Sequence, residues 1–236
     1  MNLSDFYIDS SNDQFSFSRE HGSHFAKDIA GDFNPLHDEQ AKKFCIPGDL
    51  LFSLSLAKLG VSKNMQFTFN GMVTEGVDLH FSEADSALVK VLDTAGKEYM
   101  TIERSGDAVQ NSDFASLLAQ SYVAFSGHTF PHVLVPLMAE KNVMINPARP
   151  LVIYQNMSID LQRLDFKSVS LEITNTQLQV DGKRGKAVLQ FCFKEGDEIV
   201  GHGEKVMVLS GLREFDQQVI DNLVAEYDVW KQAYIC

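Results

Sequence analysis

Cysteines are few, cations are scarce and long apolar runs are missing, and each shortage removes a class of protein. Cys45, Cys192 and Cys236 are the only cysteines among 236 residues. They are odd in number and far apart, so no disulfide framework is written into the chain. No CxxC pair or His/Cys cluster has metal-site spacing, and no metal is expected. Lys and Arg total 20 against 32 Asp and Glu, a formal charge of -12 with no Lys/Arg run. Such a surface repels a polyanion, so nucleic acid is not an expected partner. No apolar stretch approaches the roughly 18 residues of a membrane span. The polar, acidic start MNLSDFYIDSSNDQFSF lacks the basic and apolar regions of a secretory leader. GxGxxG, Walker and GxSxG motifs are also missing, which argues against a nucleotide cofactor and a serine hydrolase. The expectation is a cytoplasmic protein with reduced thiols, no cofactor and no membrane partner.

What the chain does have is core material: 44% hydrophobic residues, including 17 Phe. DLLFSLSLAKLG (Asp49–Gly60) is apolar nearly all round, so it reads as a buried helix with Asp49 as N-cap and Gly60 as C-cap. A helical start over His24–Ile29 and a short helix over Asp38–Phe44 precede it. Strands are expected over Met65–Phe81, Ser86–Asp93 and Lys97–Glu103. The order then repeats. Ser112–Phe125 and Val133–Lys141 read as helices, followed by strands over Leu151–Phe166, Ser168–Val180, Lys186–Gly196 and Glu204–Leu212. An amphipathic helix closes the chain.

Side by side, the halves are offset by about 80 to 85 positions. Asp49–Gly60 answers Val133–Lys141, Met65–Phe81 answers Leu151–Phe166, and SALVKVLD answers SVSLEITN. The turns RSGD (Arg104–Asp107) and KEGD (Lys194–Asp197) follow slightly further on. This pattern predicts two α+β repeats, 1–111 and 112–236, each an apolar helix wrapped by an antiparallel sheet.

One segment carries chemistry rather than pattern. FAKDIAGDFNPLHDEQAKKF (Phe25–Phe44) places Asp32 and His37 five apart around an Asn-Pro turn. The plain alternative is a turn-forming Asp and a His satisfying a local carbonyl. With the whole motif present, the segment resembles the hydratase motif of the MaoC-like (R)-specific enoyl-CoA hydratases, a branch of the hotdog superfamily. The match comprises the aromatic residue, Gly-Asp, Asn-Pro, the aliphatic residue, His, and Ala four residues beyond. It extends at residue level over about Phe25–Phe81.

The resemblance implies a double hotdog of class α+β, in which the first repeat carries the site and the second is degenerate. It implies that Asp32 and His37 are a catalytic dyad binding and activating one water, with Gly31 and Asn34 in support. The backbone N–H of Gly48 would then be the oxyanion donor. The implied reaction is hydration of trans-2-enoyl-CoA to (3R)-hydroxyacyl-CoA, or its reverse, in fatty acid metabolism. Acyl-CoA is the expected partner, and the chain is expected as a monomer with an internal pseudo-dimer or as a homodimer.

Two rivals stand beside this reading. A thioesterase of the same fold needs a carboxylate near a helix N-terminus, which Asp49 or Glu39 supplies. A non-catalytic acyl-thioester binder is suggested by the short segment before Gly48, where Pro47-Gly48 replaces the family's His-Gly pair. Elsewhere, SGHTFPH (Ser126–His132) sits where a second motif belongs, and reads as a degenerate copy lining an acyl tunnel. Arg149, Arg163, Arg184 and Lys186 are candidate partners of a CoA phosphate. Ser53 and Ser55 are the nearest counterparts of a family Ser.

Overall fold

The computed structural model describes residues 1–10, 13–83 and 86–235; Cys236 lies outside them. Two short strands, β1 (Ile8–Asp9) and β2 (Gln14–Ser16), lead to helix α1 (Arg19–His24). Ser18 starts α1: its hydroxyl accepts the His21 N–H at 3.1 Å, and His21 Nδ1 accepts the Ser18 N–H at 3.3 Å. The chain then widens into π-helical turns over Phe25–Ala30, until Gly31 (φ 65°) ends them. The helix expected over His24–Ile29 therefore begins earlier and is irregular at its end.

The helix expected over Asp38–Phe44 does not form. Asp38 Oδ1 accepts the Gln40 N–H at 2.9 Å, a turn that competes with helix. Arg19 Nη1 takes the Glu39 and Ala41 carbonyls, and the Cys45 N–H returns to the Leu36 carbonyl. The segment is a run of turns tied down by Arg19 and by Leu36.

Helix α2 (Gly48–Leu59) follows, buried on nearly every side. Pro47 is its N-cap residue, not Asp49, which stands inside the first turn. Strand β3 (Val61–Phe69) comes next, then β4 (Leu79–Phe81), β5 (Leu88–Asp93) and β6 (Glu98–Val109). The single strand expected over Met65–Phe81 is thus two, parted by a loop over 70–78. The second half has α3 (Ser112–Gly127), α4 (Leu134–Glu140), the bridge strand β7 (Val143–Met144), β8 (Val152–Leu161), β9 (Ser170–Asp181), β10 (Arg184–Glu195) and β11 (Glu198–Ser210). Strand β12 (Arg213–Glu214) pairs with β7, and α5 (Gln217–Ile235) closes the chain.

All ten main strands form one antiparallel sheet in the order β1-β2-β4-β5-β6-β3-β8-β11-β10-β9. Outward from the central β3–β8 pair, the sequence runs 3-6-5-4 on one side and 8-11-10-9 on the other. The two halves are therefore mirror copies in topology. The mirror also corrects the repeat pairing. SALVKVLD lies in β5, whose counterpart is β10 rather than β9. RSGD lies within β6, whereas KEGD spans the β10–β11 turn, so those two are not equivalents.

Alternation explains the sheet: Ala187, Leu189, Phe191 and Phe193 of β10 face the helices and are buried. Helix α2 packs against α3 in the hollow of the sheet. Phe52 stands edge-on to Phe67 at 5.0 Å and to Tyr122 at 4.9 Å, joining both halves in one core. Among the described residues no helix is long and apolar enough to cross a membrane.

Candidate functional site

Most of the bonds that fold Gly31 to His37 are local. The left-handed Gly31 turns the chain, and Asp32 Oδ1 accepts the Asn34 N–H at 2.9 Å. Asn34 Oδ1 in turn accepts the Leu36 N–H at 3.0 Å, and the His37 N–H reaches the Asn34 carbonyl at 2.9 Å. Pro35 fixes the intervening turn. His37 Nδ1 lies 2.7 Å from the Cys45 carbonyl. A carbonyl only accepts, so Nδ1 carries the proton and, in the neutral ring, Nε2 presents its lone pair. That nitrogen stands 4.0 Å from Asp32 Oδ2. The Asp32 side chain is 31% exposed and that of His37 13%, so water reaches the pair from the carboxylate side.

Both residues line a cavity of about 400 Å³, together with Asn34, Gly48 and Asp49. Gly31 does not line it; its carbonyl faces helix α5 instead. Gly48 begins α2, where the first N–H groups have no partner within the helix and the helix dipole is positive. A side chain at this position is tightly met, since a Cβ would lie 3.0 Å from Phe69 Cε1 and 3.2 Å from Tyr154 Cδ1 and the rings would have to shift by a few tenths of an ångström. Leu51, Phe69 and Val73 form one apolar wall; Leu134, Ile145 and Met207 form the other. Met72, Ile153 and Trp230 line the cavity and are also solvent-exposed, which places the mouth among them.

Beneath the dyad is a buried polar group that no local motif announces. Lys205 is 5% exposed, and its Nζ donates to Ser126 Oγ at 2.6 Å and to Thr129 Oγ1 at 3.3 Å. It also sits 4.7 Å above the Tyr154 ring. Burial lowers its amine from the ordinary lysine value, with Asp49 and Asp32 pulling the other way. Asp49 is half-buried, with its Oδ1 buried and unpartnered; burial raises its carboxyl, and Lys205 and Ser126 oppose that shift. The hydroxyls of Tyr122 and Tyr154 hydrogen-bond one another, and burial pushes both phenols well above their usual range. Ser126 reaches this group where α3 crosses the π-helical turns closely at Gly127, at which a Cβ would meet the Ala30 carbonyl at 1.8 Å.

Sequence reasoning missed Lys205, Tyr154 and Tyr227 as site residues. One signal was available for Lys205: it shares the inward register of Met207 and Leu209 on β11, where a lysine is out of place. Other expected groups disperse. Glu39 is exposed and outside the cavity, and Ser53 and Ser55 bond back to the Asp49 and Leu51 carbonyls within α2. Arg163 is committed to Asp165, Glu195 and Glu198, and none of Arg149, Arg163, Arg184 and Lys186 lines the cavity. From SGHTFPH, Ser126, Gly127, Thr129 and Phe130 do line it, while His128 and His132 stack outside. Among the described residues no three His, Cys, Asp or Glu side chains gather as a metal site. Cys45 touches the cavity, but burial pushes its thiol up to about 12, a setting for an inert thiol.

With this geometry in hand, the likenesses to known proteins can be placed. A tesB protein of Mycobacterium avium subspecies paratuberculosis is similar at 9% identity and TM-score 0.50, covering 88% of this chain and 96% of that one. A conserved hypothetical protein of Mycobacterium tuberculosis, described as a double hotdog, is also 9% identical with TM-score 0.50, covering 86% and 95%. A MaoC-like dehydratase is similar at 11% identity and TM-score 0.43, covering 87% and 97%. The fold is a double hotdog of class α+β. No curated protein sequence matches the chain. Residues 1–218 match the model of the family described as "Protein of unknown function (DUF3581)", and the chain belongs to that family.

Proposed function

We propose that the protein adds water to trans-2-enoyl thioesters, giving (3R)-hydroxyacyl thioesters, or runs the reverse dehydration, with Asp32 and His37 as the reacting pair. The observation that carries this reading is the pair of acceptors, Asp32 Oδ2 and His37 Nε2, 4.0 Å apart at the cavity wall. A single water has two protons to donate and fits between two acceptors at that separation. In hydration, the water oxygen bonds to C3 of the enoyl group while one of its protons passes to the dyad. The π pair of the C2=C3 double bond shifts to C1–C2, and the carbonyl π pair moves onto the thioester oxygen. The Gly48 N–H and the positive end of α2 receive that oxygen as it becomes an enolate. A proton from the dyad then closes the enolate at C2. The addition is redox-neutral, so this sequence of steps calls on no electron carrier.

A second reading, thioester hydrolysis, rests on Asp49. Its residue lines the cavity beside Gly48 and its buried Oδ1 has no protein partner; a carboxylate there can aim water at a carbonyl carbon.

Both readings are tested together with acyl-CoAs and enoyl-CoAs of increasing chain length, following loss of enoyl absorbance and release of free thiol. Hydration predicts absorbance loss that falls about 10²- to 10⁴-fold in Asp32→Asn and His37→Ala, the usual weight of an acid–base group. Folding, followed by circular dichroism, stays as in wild type. Asp49→Asn spares more of that activity than either dyad variant. Medium-length chains are expected to surpass crotonyl-CoA, because the cavity draws its walls from both halves. Thiol release that depends on Asp49 and survives Asp32→Asn instead establishes hydrolysis. Binding without turnover at any length overturns both.

A further inference from the structure

We infer that Tyr227, on the closing helix α5, is a positioning residue that fixes Asp32 from the far end of the chain. The inference rests on the reading of Asp32 and His37 as the reacting pair. The Tyr227 hydroxyl donates to the Gly31 carbonyl at 3.2 Å and accepts the Phe33 N–H at 3.3 Å. One phenol oxygen thus holds the residues on either side of Asp32, across a sequence separation of 194 to 196 positions. The ring itself is 6% exposed and wedged edge-on against Phe33 at 6.0 Å and Phe130 at 5.4 Å. Burial and the nearby Asp32 charge push the phenol up to about 12, so it keeps the proton it donates throughout the neutral range.

The backbone here decides the chemistry. Asp32 Oδ1 is already committed to the Asn34 N–H, which leaves Oδ2 as the oxygen turned toward His37. His37 is tied separately to the Cys45 carbonyl. The Oδ2–Nε2 gap is therefore set by where residues 31–33 lie, and a misplacement of about 1 Å at a reacting pair costs on the order of 10²-fold. The same face of α5 presents Leu223 and Trp230 to the cavity, at helical spacings of four and three from Tyr227. The helix that braces Asp32 is thus also a wall of the site. No local feature of the Gly-Asp-Phe-Asn-Pro turn asks for a distant phenol, since its own hydrogen bonds already close it.

The test is a double-mutant cycle on enoyl-CoA hydration with Tyr227→Phe, Asp32→Asn and both together. Tyr227→Phe keeps the ring packing and removes only the hydroxyl. Expected is a fall in kcat of about 10- to 100-fold with KM within about twofold of wild type, measured well below an unfolding midpoint that the loss of a partner for Gly31 and Phe33 lowers modestly. Because Tyr227 acts through Asp32, the double variant is expected to lose no more than Asp32→Asn alone. A Tyr227→Phe protein with wild-type kcat, beside an Asp32→Asn protein that is disabled, overturns this inference and leaves the reaction standing. So does a double variant whose loss is the product of the two single losses. If Asp32→Asn turns over like wild type, or wild type does not turn over, the reading of the dyad itself fails and takes the inference with it.

Discussion

Gly48 concentrates several demands on one position, and the sequence gives a reason for only one of them. As the first residue of α2 it lines the cavity, and a free N–H at that position is available to any residue but proline. What excludes other residues is the ring pair above it, Phe69 and Tyr154, with centroids 4.6 Å apart. A methyl group at Gly48 would press on both rings. Tyr154 cannot easily give way, because it is hydrogen-bonded to Tyr122 and roofed by Lys205. Gly48→Ala is therefore expected to destabilise the fold by about 1–3 kcal/mol, the ordinary penalty of overpacking. It should also weaken acyl-thioester binding several-fold, since the displaced rings form the cavity wall. Denaturant unfolding and a binding titration check the two effects separately; a protein with wild-type stability would show that the ring pair yields freely.

At the scale of elements, the candidate site is a loop shaped largely by its own side chains, so its turn geometry is legible in the sequence. Asp32, Asn34, Pro35 and His37 lie within six positions and dictate each other's geometry, so the turn follows from their identities. Asn34→Ala removes the acceptor that caps the Leu36 N–H. A lost cap of this kind costs about 1 kcal/mol. Turnover is expected to fall more steeply, on the order of 10-fold, because His37 rides on the same turn. Comparing the melting shift with kcat measures this; parallel losses would mean the turn only supports the fold. The neighbouring run of turns shows the opposite case. Its helix-like composition over Asp38–Phe44 was overridden by Arg19, which captures two of its carbonyls from about twenty residues away. Tyr154 and Tyr227 could not be read for the same reason. They enter the site from β8 and α5, and a single sequence does not encode which distant elements meet.

For the whole molecule, the pattern of repeats was readable but its exact pairing was not. Helix-then-sheet order recurs because each half must cover an apolar helix, whereas hydrophobic alternation alone does not say which strand of one half answers which of the other. We propose that the boundary between 1–111 and 112–236 separates two topological repeats rather than two units stable alone. Strands β3 and β8 pair across it from Asn64 with Asp160 to Thr68 with Asn156. A chain of aromatic contacts, Phe67–Phe52–Tyr122–Phe191, crosses it inside the core. Cutting there exposes the edge of β3 and strips α2 of α3, leaving an apolar helix with one face in water. The intact chain is therefore expected to unfold in one cooperative transition by fluorescence and circular dichroism alike. Fragment 1–111, expressed alone, should show no such transition and should aggregate, although it carries Asp32, His37 and Gly48. It also lacks Lys205 and Tyr227, so adding the 112–236 fragment is expected to restore structure and activity together. A fragment 1–111 that melts cooperatively near the midpoint of the whole chain would mean that the first repeat holds its own core, and that the second merely roofs the cavity.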